Sequence, residues 1–347
     1  MKKPLRAVQI GAGRFACDYH APTLYRLARL PLPALSLEAI CDLNLERAEL
    51  FCRSFGYARA YTDFHLMIDE VRPDLIYVMV HPAATAGVLE AVLPLSIPTF
   101  TEKPPGVTIE EAARLADLAA KRGTLNYVGF NRRRMPGLER LKLWVETNRP
   151  LRYVRAEILR NRRLEADFAI GTAIHPLDFL RYICGGVGRV STTTLPHPQA
   201  GARDYLVRLE FESGAIADLC VLVACGLRRE RYLAQTTNAS IEATVGGGYS
   251  SAFCVAGVNE FRDDQLVLET VPGDDPLVAG GFMGEHESFL DSVARGHLPD
   301  CCLQDAYHSL RLAAAVQASY SGPIQDFRGT PRALGQMEGE IEGCQHY

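Results

Sequence analysis

The chain has 347 residues, 48% of them hydrophobic and 22% charged, and a formal net charge of -4. That length suffices for two domains with cores of their own, and the charge offers no polybasic surface for nucleic acid or membrane. No apolar run approaches a membrane span, the start MKKPLRAVQIG lacks a secretory pattern, and ten scattered cysteines without C-x-x-C or zinc-ligand spacing predict free thiols in a reducing cytoplasm and no metal site.

Residues 1–128 alternate strand and helix. LRAVQIG reads as a strand, FACDYHAPTLYRLARL as a helix, LSLEAICD as a second strand, and NLERAELFCRSFG as a helix stopped by Gly56. DLIYVMV is a continuous apolar run, as in a parallel strand covered on both faces. A helix (AATAGVLEAVLP), a strand (IPTFTEK), a helix (TIEEAARLADLAAKRG) and a strand (TLNYVGF) follow. The rhythm predicts an α/β fold opening on a Rossmann-type, doubly wound parallel sheet.

Across residues 129–328 the rhythm changes. After the helix PGLERLKLWVETN, the strand-like LRYVRAEILRN and the helix HPLDFLRYICGG, strand stretches run together. These are DYLVRLEFESGAIADLCVLVA, RYLAQTTNASIEATVG and AFCVAGVNEFRDDQLVLET, the first folding into a hairpin at Ser213-Gly214. Two helices close the segment. A separate α+β domain with a largely antiparallel, open sheet is expected, followed by a tail over 329–347 with little apolar content. An open sheet leaves an apolar face needing cover, which predicts a homodimer or homotetramer.

IGAGRFA places G-x-G-x-x-A at Gly11, Gly13 and Ala16, directly after a strand and opening a helix. The first glycine permits the tight turn and the second lets a pyrophosphate approach the backbone. The small third residue allows close helix–strand packing. Asp42 ends the next strand, farther from the glycines than usual because of the loop RLPLPALS. A carboxylate there accepts hydrogen bonds from a ribose and repels a 2′-phosphate, favouring NAD over NADP. Equally, it reads as a strand-end cap for the following helix. Arg47 is the residue placed to fold over the adenosine and weaken that preference.

In FTEKPPG, prolines fix Lys103 at a strand end. The run Arg132-Arg133-Arg134 reads as a solvated face or an anion site, and Arg160, Arg162 and Arg163 follow a strand. His175 and Asp178, three apart, share a helix face, and Pro176 puts His175 near that helix's start. There the dipole keeps a neutral imidazole available, titrating near the ordinary value of about 6.5.

GAGRFA, AICDLNLERA, FTEKPPG, YVGFNRR and IHPLDFLRYICGG, in this order from about residue 5 to 320, resemble the glucose–fructose oxidoreductase/inositol dehydrogenase family, called Gfo/Idh/MocA. The resemblance implies an NAD-dependent oxidoreductase moving hydride to or from a secondary alcohol of a sugar, sugar derivative or cyclitol. It further implies Lys103 and His175 as the catalytic pair and a cis Lys103–Pro104 peptide. Arg14 and Phe15 in the glycine turn, His81 and Pro82 after the fourth strand, and Glu102 are expected beside the cofactor. Asn131, Arg160 and Asp178 are expected beside the substrate. Some relatives instead cleave glycosides by transient oxidation, and others only sense the dinucleotide; the pairing of Lys103 with His175 argues against a sensor. Two departures stand out. Many members carry an Asp where this chain has Gly171, leaving Asp178 or Asp167 as substitutes, and Thr85 stands where a histidine is usual.

Overall fold

The apolar runs of the first half assemble into one sheet. The structure, a computed structural model, describes residues 3–30, 35–199, 201–245, 257–270, 273 and 275–329. The tail expected beyond 329 and the centre of the loop expected before the second strand (31–34) lie outside them. Strands β1 (Leu5–Ile10), β2 (Leu35–Cys41), β3 (Arg59–Tyr61), β4 (Leu75–Val78), β5 (Thr99–Glu102) and β6 (Asn126–Gly129) are mutually parallel, in the order β3-β2-β1-β4-β5-β6. The strand order reverses between β1 and β4, which opens a crevice at their carboxyl ends. Every residue of β4 is buried, as its unbroken apolar sequence requires.

Helices α1 (Ala21–Leu27), α2 (Leu45–Phe55), α3 (Phe64–Val71), α4 (Pro82–Val92) and α5 (Ile109–Arg122) make the crossovers. Their ends follow local chemistry. Asn44 caps α2 by accepting the Arg47 amide, and Gly56 stops it at φ +74°. Thr108 and Glu111 form a reciprocal capping box at α5.

In the second half, α6 (Pro136–Thr147), β7 (Tyr153–Leu159) and α7 (Ile174–Cys184) precede a run of strands. These are β8 (Val187–Pro196), β9 (Arg203–Phe211), β10 (Ile216–Leu222), β11 (Arg229–Gln235), β12 (Ala239–Val245), β13 (Gly257–Arg262) and β14 (Gln265–Thr270). With the two-residue β15 (Gly322–Pro323) they form a nine-stranded sheet in which only β7 and β10 pair in parallel. The β9–β10 hairpin turns at Gly214, φ +84°, as its Ser-Gly pair predicts. Buried and half-buried residues alternate along β10, β11 and β12, so one face is covered and the other open.

That open face differs from the apolar surface expected. Leu206, Leu222 and Leu233 share it with the ion pairs Arg208–Asp218 at 3.5 Å, Arg229–Glu157 at 2.6 Å and Arg231–Glu242 at 3.4 Å. Alternation gives the face its position, while the charged residues make it an ion-pair lattice.

The short α8 (Pro276–Ala279) and the longer α9 (Phe282–Arg295) and α10 (Leu303–Gln317) return to the first sheet. Phe289 and His286 of α9 pack against the rings of Tyr77 and Phe100 with centroids 4.7–5.7 Å apart. The Leu303 amide donates to Asn126 Oδ1 at 2.7 Å, and the Val128 amide to the Cys301 carbonyl at 2.7 Å. The last helices of the chain thus cover the first sheet.

Candidate functional site

The chain turns as soon as β1 ends. Gly11 has φ +99°, and a Cβ on it would meet the Met79 carbonyl oxygen at 2.3 Å, so only glycine fits. A Cβ on Gly13 would have no neighbour within 4 Å. Helical conformation begins at Arg14, widens into a π-helical turn over Ala16–His20 and runs on into α1. Leading amides of a helix lack intrahelical partners, and with the dipole they form an anion site. The open cradle at Gly13 therefore fits a dinucleotide pyrophosphate.

Asp42 lies one residue beyond β2 and does two things at once. Its Oδ2 accepts the Ala12 amide at 2.8 Å, and its Oδ1 accepts the Asn44 amide at 2.9 Å and Arg47 Nε at 3.1 Å. The carboxylate pins the glycine turn, and Arg47 is held on Asp42 itself. Arg14 is exposed and pairs with Asp18 at 3.4 Å, while Ala16 is buried. His81 Nδ1 caps α4 by accepting the Ala83 amide at 3.3 Å, with Pro82 as the first helical residue. Thr85, standing where a histidine is usual, is buried with its hydroxyl on the His81 carbonyl.

Next to this turn lies a cavity of about 260 Å³ whose lining includes Phe15, Lys103, Arg160, Gly171 and His175. Lys103 stands just past β5, and its bond to Pro104 is cis. Its Nζ donates to the Gly171 carbonyl at 2.6 Å. At the position where many relatives carry an Asp, a backbone oxygen thus holds the ammonium. A Cβ on Gly171 would lie 3.8 Å from Asp167 Oδ2, so a carboxylate reaches this region from one turn earlier. Burial pulls the Lys103 ammonium down to about 8 despite the charge of Glu102, and Arg132 and Arg163 add to the fall.

His175 is buried, edge-on to Phe130 at 6.2 Å, and its Nδ1 has no hydrogen-bond partner among the described residues. Burial, then the charges of Arg132, Lys103, Arg160 and Arg163, hold its conjugate acid well below the usual histidine range. α7 begins at Ile174, which puts His175 near its start as expected, but a π-helical turn over Ala169–Ala173 runs directly into it, so this is not a free helix end. Nor does the group titrate near 6.5; the imidazole is neutral because of burial and four neighbouring cations.

Three further expectations are corrected by packing. The Arg132–Arg134 run is not a solvated face. Arg132 and Arg160 converge on the buried Glu230, with bonds to its Oε2 of 3.2 and 2.9 Å. Burial opposes the Glu230 charge, but these two guanidinium groups override it and hold the carboxyl down to about 2. Asp178 does not line the cavity that holds Lys103 and His175. It is fully buried, accepts Arg133 Nε at 2.8 Å, Arg133 Nη2 at 2.6 Å and Ser309 Oγ at 2.6 Å, and supplies no carboxylate to His175. Asn131, also expected at the substrate, instead donates to the Gly280 carbonyl at 2.8 Å, tying the last helices to the end of β6.

The buried His20, Glu285 and His286, which lie behind Lys103 and against the Glu102 expected beside the cofactor, escaped the sequence reading. Glu102 accepts the Lys103 amide at 3.0 Å and contacts His20 Nε2 at 2.7 Å, and His20 Nδ1 lies 2.9 Å from His286 Nε2. His20, Glu285 and His286 bring ligand-capable atoms within 4.8 Å of one another, although no metal-type spacing links them in the sequence. The hydrogen bond between the rings accounts for the approach of the two histidines. Glu230 was also missed, and it left a trace: along β11 the buried positions are 230, 232 and 234, so a carboxylate stands on a covered face.

A doubly wound sheet with a glycine turn, joined to an open sheet with a lysine and a histidine in one cavity between them, is the architecture of a nicotinamide-dependent oxidoreductase. Residues 5–130 match the profile described as "Oxidoreductase family, NAD-binding Rossmann fold", and residues 159–323 match its "C-terminal alpha/beta domain". The chain belongs to the Gfo/Idh/MocA oxidoreductase family, and its first domain is an NAD-binding Rossmann fold. It is 30% identical over 200 residues to D-glucoside 3-dehydrogenase of Escherichia coli, a match covering 52% of this chain and 54% of that protein, about half of each. Against scyllo-inositol 2-dehydrogenase (NAD(+)) of Bacillus subtilis it is 25% identical over 355 residues, covering 94% and 97% of the two chains. Levoglucosan dehydrogenase in complex with NADH and L-sorbose shares the fold, with a TM-score of 0.79 at 17% identity over 93% of this chain and 99% of that one. No helix among the described residues is long and apolar enough to cross a membrane.

Proposed function

We propose that the protein oxidises a secondary alcohol of a sugar, sugar derivative or cyclitol, or reduces the matching ketone, at the cavity shared by Lys103 and His175. The observation that carries this reading is that an ammonium and a neutral, unprotonated imidazole line one small cavity at the carboxyl end of β5, beside the glycine turn. When bound, NAD supplies the hydride acceptor. Lys103 donates a hydrogen bond to the substrate oxygen and offsets its developing negative charge. His175 takes the hydroxyl proton, and the charges around it favour release of that proton afterwards. Gly171 aims the ammonium through its carbonyl. The names of the relatives, which act on glucosides, inositols and levoglucosan, support a polyhydroxylated substrate.

Asp42 is the group we assign to cofactor choice, favouring NAD over NADP. A homodimer or homotetramer through the open face of the second sheet accompanies this reading. Light scattering at micromolar concentration checks it, and a mass near the 38.2 kDa of one chain overturns it. The free thiols support a reducing, cytoplasmic setting.

The direct test of function is NADH formation with a panel of sugars and inositols. Turnover that persists in Lys103→Met and in His175→Ala overturns the proposed roles. Cleavage of aryl glycosides without net NADH would replace oxidation by the glycosidase reading.

A further inference from the structure

The whole chain carries a net charge of -4, yet the cavity is lined by Lys103, Arg132, Arg160, Arg163 and Arg228 against the single carboxylate of Glu230. A polyol needs no such excess, since hydroxyl groups are recognised by neutral donors and acceptors as well as by charges. Concentrated positive charge in a partly closed space raises the local concentration of anions and holds them once desolvated.

The cations divide by commitment. Arg132 and Arg160 are tied to Glu230. Lys103 is held at Gly171 for the reacting oxygen. Arg163 bonds Glu165 at 2.7 Å and donates through Nη2 to Thr172 Oγ1 at 3.0 Å. Arg228 is exposed and makes no ion pair among the described residues. The segments carrying Arg163 and Arg228 are joined by backbone bonds, from the Arg163 amide to the Val223 carbonyl at 3.0 Å and from the Cys225 amide to the Arg160 carbonyl at 2.8 Å. Two guanidinium groups therefore face one cavity from one paired stretch of backbone.

We infer that the substrate carries an anionic group, a carboxylate or a phosphate ester, seated against Arg228 and Arg163 while its carbinol lies at Lys103 and His175. This rests on the cavity being the substrate site. Its volume of about 260 Å³ lies just below the usual range of roughly 300–1,000 Å³ for ligand pockets, which fits an acid of monosaccharide size better than a nucleotide sugar. The acid pairs with the exposed Arg228 and shares Arg163 with Glu165, where a neutral sugar offers no counter-ion.

The test uses matched ligands on the full-length protein saturated with NAD: glucose, glucuronate and the glucose phosphate ester at the same carbon, and the corresponding galactose set. Calorimetry gives affinity and NADH absorbance gives turnover. At least one acid should bind about tenfold to a hundredfold tighter than its neutral partner, the range for one charge-assisted hydrogen bond. Which of the two acids does so separates carboxylate from phosphate. Added salt should weaken that acid and leave the neutral sugar unaffected. Arg228→Gln, at an exposed position outside any ion pair among the described residues, should erase most of the preference.

Neutral sugars binding as well as their acids, or no acid binding at millimolar concentration, overturns the inference. NADH formed equally from the neutral sugars would then leave the oxidoreductase reading standing. Conversely, an acid preference lost in Arg228→Gln, with no turnover of any member, upholds the anion site and removes the assigned reaction.

Discussion

The two walls of the cavity are built by different means. On the Rossmann side the site is backbone: a glycine with φ +99°, an open cradle at Gly13, a helix start, and one lysine fixed past a strand end. On the other side it consists of long side chains drawn from the segment after β7, from α7 and from the start of β11. A backbone site binds what every reaction of the class shares. A side-chain site can be rewritten residue by residue, and here it has been written in arginine.

The sharpest way to break the comparison is at His175. His175→Ala should lower turnover by about 10²–10⁴, the usual range for removing a general base, with the dissociation constant for NAD nearly unchanged. Lys103→Met should cost about 10²–10³ in turnover on the same pattern. Stopped-flow turnover and fluorescence titration with NADH read the two quantities separately. A parallel loss of NAD affinity in His175→Ala would mean that the walls are not independent.

Asp178→Asn probes the support of the side-chain wall. It leaves the buried Arg133 short of its fork partner, and removal of one member of a buried pair costs about 3–5 kcal/mol. The low end is expected, because Arg133 keeps Asp305. Urea unfolding should show that loss, while the folded enzyme keeps its turnover. A selective fall in turnover at unchanged stability would return Asp178 to the chemistry.

Smaller effects separate the walls further. The Lys103 ammonium, lowered to about 8, loses its proton as pH rises through that value, so kcat/KM should fall above pH 8 by about tenfold per unit. His175 is neutral across the same range, and no limb near 6.5 should appear. A pH profile of the wild type and of Lys103→Arg, whose guanidinium keeps its charge, checks the assignment. Asp42→Ala should shift the ratio of NAD to NADP affinity by about tenfold, near the value of one hydrogen bond to a charged group. An unchanged ratio would leave Asp42 as only the pin of the Ala12 amide.

The same contrast explains what could be read from the sequence. Gly11, Gly13, Ala16 and Asp42 sit in short motifs because local backbone geometry demands residue types at fixed offsets. Lys103 was legible for the same reason, through the prolines beside it. The fate of Arg132, Arg133 and Asp178 was not, because their partners lie far along the chain: Glu230 for the first, and Ser309 and Asp305 around the other two. A run of three arginines looks solvated until the carboxylates that bury it are known. The neutrality of His175 was anticipated from a helix terminus, whereas its causes are burial first and then cations gathered by the tertiary fold. The two sheets were readable from continuous and alternating apolar patterns, but not the ion-pair lattice on the open face. Alternation says which side a residue takes, and nothing about what meets it there.

The return of α9 and α10 to the first sheet has a consequence for synthesis. A ribosome releases β4, β5 and β6 well before the helix, α9, whose rings cover Tyr77 and Phe100. Until that helix emerges, one aromatic face of the nascent sheet stays in water, where chaperones that hold apolar surface would find it. Translation of α9 is therefore part of folding the first sheet. A release that stops before α9 would leave a nucleotide domain with its glycine turn formed and its aromatic face uncovered.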